Sequence, residues 1–513
     1  MKLHEKDKWV EAMQEEMNNM RQHKVWHLVS PPTNKTPLGS RWVYTLKRDE
    51  HGTIARFKAR LVAQGYTQVK GETYDETFSP VVNFSIIRFF FALLVVCCKW
   101  LNLQCDIKSA YLYAPIDEEI LMYQPPGFVE KGKENLVCRL NRALYGLHQS
   151  GRLWYFEFNS VLLELGFKKF QWCNCAYYFQ NNTVLLVYVD DIVIFGKNKN
   201  CIDKAIERLK VKFDLKILGT TIKLLGVEFL YSNDCIRIHQ GLYIDEVLNR
   251  FKSYHFPISS LPIVKGVKYS KSDCPSTETE QHEMARFPYR NVLGCLSFIA
   301  GRTRPDLAYA INIFSQFQNN PGITHWNGLL KLLGYLAYTN HYKLKLQCKV
   351  PHIDAYSDAD FASSRDDMVS LGGQIIFLDK APIHWKTFKQ RAVSLSTMEA
   401  EFVAMVETTR EIIWLYNVLS ECFEYKIITG NKEKPVLYAD NMAAINFSKS
   451  PIENTRSKHI NVKLFFIREL LQNKVFSVRY IRSCLNLADQ FTKPLTKYNL
   501  LKYVNVIFDC NEL

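Results

Sequence analysis

VLLVYVDDIVIF, residues Val184 to Phe195, sets two adjacent carboxylates, Asp190 and Asp191, in the middle of an apolar, β-branched run. A run of that composition reads as strand. An unpaired charge inside it is costly, so the residues call for a cation or a water-filled cleft at this point. The alternative is a two-residue hairpin turn, which Asp tolerates well. Both readings stay open on these residues alone.

Working upstream, LQCDIKSAYL (Leu103 to Leu112) is a second strand candidate interrupted by Asp106, with Tyr111 five residues later. Asp106, Asp190 and Asp191 would supply what nucleotide addition needs: convergent oxygens for two Mg2+, one activating a primer 3′-hydroxyl and one neutralising a triphosphate. Asp106 taken alone also fits a surface or capping role. RWVYTLKRDEHGTIARFKARLVAQG predicts two strands around a turn at Asp49 to Gly52, a hairpin dense in Arg41, Lys47, Arg48, Arg56, Lys58 and Arg60. Asp7 to Met20 is patterned as an exposed amphipathic helix, ended by the breaker run from Ser30 to Pro37. Ile86 to Leu101 predicts a buried helix. Its most apolar part, Ile86 to Cys98, contains Arg88 and falls short of the roughly 20 residues that a membrane span needs, which predicts no membrane segment.

Downstream, an amphipathic helix (Ile202, Ile206, Leu209, Phe213) and a strand near Leu225 to Leu230 precede Phe256 to Thr279, whose Pro, Ser, Thr and Lys content marks it as a linker. Tyr289 to Thr339 reads as helical. The remainder alternates strand HIDAYSDADF, strand QIIFL, a helix from Ser396 to Leu419, strand VLYAD, a helix around Val462 to Leu471 and strand VFSVRYI, an α/β order.

At 513 residues the chain is too long for one ordinary core and predicts about three or four domains. Its composition, 47% hydrophobic and 23% charged, is that of a globular protein and excludes a disordered or fibrous chain. Lys+Arg exceeds Asp+Glu by 65 − 51 = 14, a basic excess that favours a polyanionic partner. No pair of its 14 cysteines is spaced C-x-x-C, which argues against a zinc knuckle, and the charged start has no secretory apolar region. An intracellular, reduced-thiol protein is expected.

Four further carboxylates, Asp358, Glu399, Asp440 and Asp489, recur toward the C-terminus in strand, helix, strand-end and helix-start settings. A small α/β domain could gather them around one scissile phosphate for two-metal cleavage. Each also has an independent explanation: a strand edge for Asp358 and Asp360, a solvated helix face for Glu399 and Glu401, a turn for Asp440, a helix N-terminus for Asp489.

YVDD (Tyr188 to Asp191), CDIKSAYLY (Cys105 to Tyr113), LNRALYGLHQSGRLWY (Leu140 to Tyr155), ETFSPV (Glu76 to Val81) and MYQPPGF (Met122 to Phe128) resemble, in order, the motifs of copia-type retrotransposon reverse transcriptases. YSDADFA, LSTMEAEFVA, YADNMAAI, TRSKHINVKLFFIRE and NLADQFTKPL resemble the RNase H domain of the same elements, with FPYRNVLGCLSFIAGRTRPDLAYAINIFSQF and HWNGLLKLLGYL similar to the connecting region. The resemblance implies an α+β fold: a right-hand polymerase with fingers and palm over 1–230, thumb and connection over 231–350, and an α/β RNase H-like domain over 351–513. It implies an RNA-directed DNA polymerase with RNase H activity, Asp106, Asp190 and Asp191 being metal ligands of the first site and Asp358, Glu399, Asp440 and Asp489 of the second.

Glu399 is taken over Glu401 because it matches the first Glu of the family's EAE. Tyr111 becomes an aromatic gate against a ribose 2′-hydroxyl, Tyr145 and Gly146 line the dNTP site, and Arg60 contacts the triphosphate, with Lys58 a further candidate. Mg2+ (or Mn2+) is the implied cofactor. RNA template, DNA primer, RNA–DNA hybrid and dNTPs are the implied partners, an oligomer is compatible, and the implied location is cytoplasmic, within virus-like particles.

Departures from the family pattern are His148 and Gly151 for a Lys and a Pro, Cys105 for a Phe, Phe361 for a Trp and Met442 for a Gln. Cys105 and Gly151 are expected to be tolerated in packing, whereas His148 removes a fixed positive charge. Arg302, Arg304 and Trp326 could grip a hybrid backbone, with helix cap and core aromatic the competing roles, and His459 is expected to be structural or strand-contacting. Two rival readings are a decayed or domesticated copy that binds nucleic acid without catalysis, and a nuclease with a non-catalytic front half. Presence of every implied metal ligand argues against both.

Overall fold

The computed structural model describes residues 5–32, 35–48, 54–449 and 458–510. The turn at Asp49 to Gly52 lies outside the described residues, as do the side chains of Lys47, Arg48 and His459. By its contacts the chain divides into two compact units, one of 1–82 with 102–220, the other of 83–101 with 221–513.

In the first unit the helix Lys6–Gln22 turns Trp9, Ala12, Met17 and Met20 inward, a helical spacing that gives one apolar face. That face lies on the hairpin Ser40–Arg48/Ile54–Ala63, where the Trp9 ring sits 5.0 Å from Tyr44 and 4.7 Å from Phe57. The central sheet has the strand order Leu215–Gly219, Leu101–Ile107, Asp191–Gly196, Thr183–Tyr188, Ala176–Phe179, Lys168–Lys169. Helices Ser150–Glu164 and Lys199–Lys210 pack on it, burying Trp154, Phe158 and Leu162 with Ile202, Ile206 and Leu209 against Leu185, Ile192 and Ile194. The run Val184 to Phe195 is therefore two antiparallel strands around Val189 and Asp190, with Tyr188 facing Asp191.

The segment Asn83–Leu101, read in sequence with the fingers and palm, belongs by contacts to the second unit. Helix Phe84–Phe90 continues as a π-helix, Phe91–Cys97, both deeply buried. One sheet of this unit has the antiparallel order Lys223–Leu224, Val227–Ser232, Cys235–His239, Lys343–Leu346, Phe508–Asp509. Helices Gly241–Phe251, Tyr289–Arg302, Ala308–Ser315 and Ile323–Tyr338 accompany it. The other sheet runs Ala381–Lys389, Leu371–Leu378, Ile353–Asp360, Val436–Ala439, Ser477–Tyr480, antiparallel in its first two pairings and parallel in the last two. Helix Thr397–Glu424 packs on its central strand.

Elements beyond the sequence reading include helices Ser150–Glu164, Gly241–Phe251, Met442–Lys449 and Lys497–Ile507 and strands Cys235–His239, Lys343–Leu346 and Ala381–Lys389. The stretch Phe256 to Thr279 is not a free linker, since Ile263 is buried and the Tyr269 ring packs 4.9 Å from Phe314. Among the described residues no helix is long and apolar enough to cross a membrane.

Two buried arginines knit the second unit. Arg304 is sealed with Asp306, at 1% and 0% side-chain exposure, and Tyr335 and Thr339 complete the cluster. Arg304 and the 2%-exposed Trp326 thus take the core roles, and Arg302 lies over the Phe84 and Phe298 rings. Arg88 is fully buried without an acid in ion-pair reach among the described residues. Its guanidinium donates to Ile383 O (2.9 Å), Arg302 O (2.8 Å) and Gly301 O (3.3 Å) and lies 3.9 Å from the Trp385 ring. Two of those carbonyls end the helix Tyr289–Arg302, so the negative end of a helix dipole stands in for a carboxylate. Arg88→Ala should cost about 3–5 kcal/mol, through a cavity and stranded carbonyls. Urea unfolding measures it, and a loss below about 1 kcal/mol would contradict this role.

His384 sits beside this arginine, with Nδ1 3.1 Å from Ser85 Oγ and Nε2 3.0 Å from the Gln374 amide. Burial, then the Arg88 charge, push its pKa down to about 3 from 6.5. Below pH 6.5 the unfolded chain takes up this proton and the folded chain does not. Stability should therefore fall between pH 6.5 and about 3, by up to ~1.4 kcal/mol per pH unit from this residue. The slope of stability against pH should be shallower in His384→Gln, and equal slopes would show that the ring is not held neutral.

Candidate functional site

Asp106 lies on the strand Leu101–Ile107, whose last residue donates its N–H to Asp190 O at 2.9 Å. That bond ties the strand end to the tip of the neighbouring hairpin. Val189 adopts φ +57°, a strained conformation for a β-branched residue, and its carbonyl accepts from Trp154 Nε1 at 2.8 Å. The turn is held from below. Asp191 Oδ1 accepts from Gln104 Nε2 at 3.1 Å.

Burial and the neighbouring Asp190 raise the Asp106 pKa, against Lys58, Lys216 and Arg60, which lower it. Asp191 is raised by burial and by both other aspartates, against the Gln104 bond. Like charges are thus crowded at the tip of a half-buried sheet, a setting that favours a cation.

Arg60 and Lys58 come from the strand Ile54–Ala63, and the Arg60 guanidinium lies 5.2 Å from the Tyr145 ring. Tyr145 stacks at 4.9 Å on Tyr111, which stands on the short turn Ala110–Tyr113 within the field of Asp190. Gly146 has φ +96°, and a Cβ there would lie 2.1 Å from Ala63 O, so only glycine lets this loop meet the strand. His148 is exposed, its ring 4.7 Å from Tyr74 and its N–H donated to Gln68 Oε1 at 2.9 Å. Cys105 is a core residue, and Gly151 in the first turn of helix Ser150–Glu164 accepts from Ser79 Oγ at 3.0 Å.

The second centre is closer knit. Asp358, Asp440 and Asp489 each offer an oxygen within 4.8 Å of the others, the one such acidic, His or Cys group among the described residues. Asp358 comes from the middle strand, Asp440 follows its parallel neighbour Val436–Ala439, and Asp489 opens the turn Asp489–Phe491. Gly373, paired with Asp358, makes this convergence possible: a Cβ would meet Phe491 Cβ at 2.7 Å and Thr492 Cγ2 at 2.8 Å. Asn486 Nδ2 anchors the same loop to Ser357 O at 2.9 Å.

Glu401, only 4% exposed, completes the group from helix Thr397–Glu424. Burial, then Asp358 and Asp440, raise its pKa to about 9, and Asp489 is raised to about 7 by burial and Asp358. Glu401 Oε2 is buried without a hydrogen-bond partner. An orphaned carboxylate oxygen in the field of Asp358 and Asp440, next to an oxygen-only donor set, fits Mg2+ or Mn2+.

Residues 23–265 match the family described as "Reverse transcriptase (RNA-dependent DNA polymerase)". That match covers a little under half of the chain. Beyond it, the chain is similar over nearly its full length to the Pol polyproteins of copia-type transposons. The Pol polyprotein from transposon TNT 1-94 of Nicotiana tabacum is 37% identical over 97% of this chain and 38% of its own length. That from transposon RE2 of Arabidopsis thaliana is 35% identical over 96% of the chain and 33% of its own length. The chain thus spans about a third of these relatives. In fold it resembles the foamy viral protease–reverse transcriptase solved with an RNA/DNA hybrid, at TM-score 0.51 and 12% identity, over 93% of this chain and 54% of that one. The form solved with double-stranded DNA gives TM-score 0.50 at 13% identity, over 92% and 69%. The fold is α+β and resembles that of the foamy viral protease–reverse transcriptase.

Within the matched residues 23–265 the structure sets Asp106, Asp190 and Asp191 in one another's electrostatic reach, near Lys58, Arg60, Tyr111 and Tyr145. In the C-terminal centre Glu399 does not join the aspartates. It is the third residue of its helix, its N–H bonded to Ser396 Oγ at 3.2 Å and its carboxylate reaching back to Leu395 N at 2.7 Å. The helix start claims it, and Glu401, two residues on, turns to the sheet. The S-x-x-E pattern Ser396 to Glu399 is a capping-box signature and could have placed Glu399 at the helix start. Gln104, Thr492 and Lys493 were not anticipated: their contacts with Asp191 and Asp358 span the sequence, although Thr492 and Lys493 lie within the NLADQFTKPL stretch beside Asp489.

Glu401→Gln should abolish the thermal stabilisation of the full chain by Mn2+ that the C-terminal centre confers. Glu399→Gln should keep it at a stability cost of roughly 0.5–1 kcal/mol. Thermal melts with and without Mn2+ decide, and the reverse pattern would restore Glu399 as the ligand.

Proposed function

We propose that this chain copies RNA into DNA with its reverse transcriptase domain and cuts the RNA strand of the resulting hybrid at its C-terminal carboxylate centre. The observation that carries the reading is the pairing of each carboxylate group with what its substrate requires. At the hairpin tip Asp106, Asp190 and Asp191 face a strand bearing Arg60 and Lys58, an arrangement suited to a triphosphate brought to a primer end. The C-terminal centre offers four carboxylates, suited to a single phosphodiester.

Mg2+, or Mn2+ in its place, would activate the attacking oxygen and neutralise the charge that develops on the leaving group. Asp106, Asp190 and Asp191 would hold it in one site, and Asp358, Glu401, Asp440 and Asp489 in the other. Arg60 and Lys58 would bind the triphosphate oxygens. Tyr111, braced by Tyr145, would close the space that a ribose 2′-hydroxyl needs and so select dNTPs. RNA template, DNA primer and the hybrid are the proposed partners, consistent with the net charge of +14 and with the nucleic acids bound in the foamy viral structures. We take the working location to be a cytoplasmic virus-like particle.

Primer extension on a poly(rA) template and cleavage of a labelled RNA–DNA hybrid, run on one preparation, test this. Asp190→Asn should lose at least about 100-fold in extension and keep cleavage, because an amide is a poorer Mg2+ ligand than a carboxylate. Glu401→Gln should do the opposite. Tight hybrid binding with neither activity in the unaltered chain would favour a domesticated binding protein instead.

A further inference from the structure

The loop that delivers Asp489 also returns a cation to the carboxylates. Lys493 Nζ stands 3.1 Å from Asp489 Oδ1 and 3.7 Å from Asp358 Oδ2. Thr492 Oγ1 donates to the same Asp358 oxygen. Asp358 is sealed, its side chain 2% exposed, whereas that of Lys493 is 39% exposed and keeps a path to water. Across the site Glu401 Oε2 is buried without a hydrogen-bond partner, so the ammonium contacts the Asp358–Asp489 edge and reaches Glu401 only through its field. Lysine carries a point charge on a flexible four-carbon stem, able to approach or leave without moving the backbone.

We propose that Lys493 is a tethered counter-ion of this centre: it occupies the Asp358–Asp489 edge when no divalent cation is bound, and it withdraws toward solvent when a metal takes those oxygens. The metal affinity of the site is then set by competition with a cation that the chain itself supplies. This rests on the metal-binding reading given above. Two consequences of opposite sign follow. In the absence of metal the ammonium stabilises carboxylates that would otherwise be buried and uncompensated. With metal present it is a competitor, so its removal tightens binding.

Lys493→Met keeps the stem and removes the charge, and Lys493→Gln keeps a donor without charge should the Met variant fold poorly without metal. Mn2+ binding to the full chain is measured by calorimetry, with Asp358→Asn identifying the fraction bound at this centre, and melting temperatures are taken in EDTA and in excess Mn2+. The neutral variants should melt lower than the unaltered chain in EDTA, gain more on adding Mn2+, and bind it roughly tenfold more tightly, the equivalent of one pK unit of competing interaction. Lys493→Arg, which keeps the charge, should bind no more tightly than the unaltered chain. Unchanged or weaker Mn2+ binding in the neutral variants, with the Asp358-dependent fraction intact, would overturn the role of Lys493 alone. Mn2+ binding indifferent to Asp358→Asn would overturn both that role and the metal reading beneath it.

Discussion

Arg88 carries a full charge into a place where water does not follow, and the second unit is arranged around satisfying it. Its donors end on the last carbonyls of Tyr289–Arg302 and on Ile383 in strand Ala381–Lys389, so a segment from early in the chain, a helix from its middle and a strand from its later third meet at one guanidinium. Trp385 closes the flat face and His384 stays neutral beside it. The Arg304 and Asp306 pair shows the other way to bury such a group, with an acid supplied two residues away. Arg88 has three backbone carbonyls and the Ser85 hydroxyl instead of an acid, and the carbonyls fix the relative position of three elements.

Both carboxylate groups solve one problem, bringing like charges together, by spending backbone conformation. At the hairpin the left-handed Val189 puts Asp190 at the tip and leaves Asp191 in the strand. In the C-terminal centre Gly373 removes the side chain that would otherwise hold off the Asp489 loop. The sheets that carry these groups are ordinary.

Much of this was legible in the residues. The carboxylates inside Val184 to Phe195 announced a site, and the hairpin and cleft readings proved compatible, because the turn is where the acids gather. The order of strands and helices after His352 followed from periodicity. Strand Ala381–Lys389 did not, since Ala381 to Trp385 are all buried and show no alternation, and Pro382 argued against a strand. Helix Met442–Lys449 is short, although Asn441, whose Oδ1 accepts from Ala444 N at 2.9 Å, was a readable cap. Glu399 was preferred by motif position over a cap rule that its own sequence satisfies. Contacts such as Gln104 to Asp191 and Lys493 to Asp358 span 87 and 135 residues (493 − 358), and no local pattern encodes them.

The bond from Arg88 to Ile383 joins residues 295 positions apart. A ribosome adding about 5–20 residues per second needs roughly 15–60 s to make that interval. During that time one of the most apolar helices in the chain, with a charge at its centre, has only part of its surroundings, Phe229 and then the end of helix Tyr289–Arg302 arriving before the strand does. The earlier part of the chain can complete its own sheet in the meantime, because 1–82 and 102–220 form a compact unit without it. Folding order is thereby separated from sequence order: an early segment completes its contacts only after a much later strand has been made, and it is exposed to misassociation for as long as that strand takes to emerge.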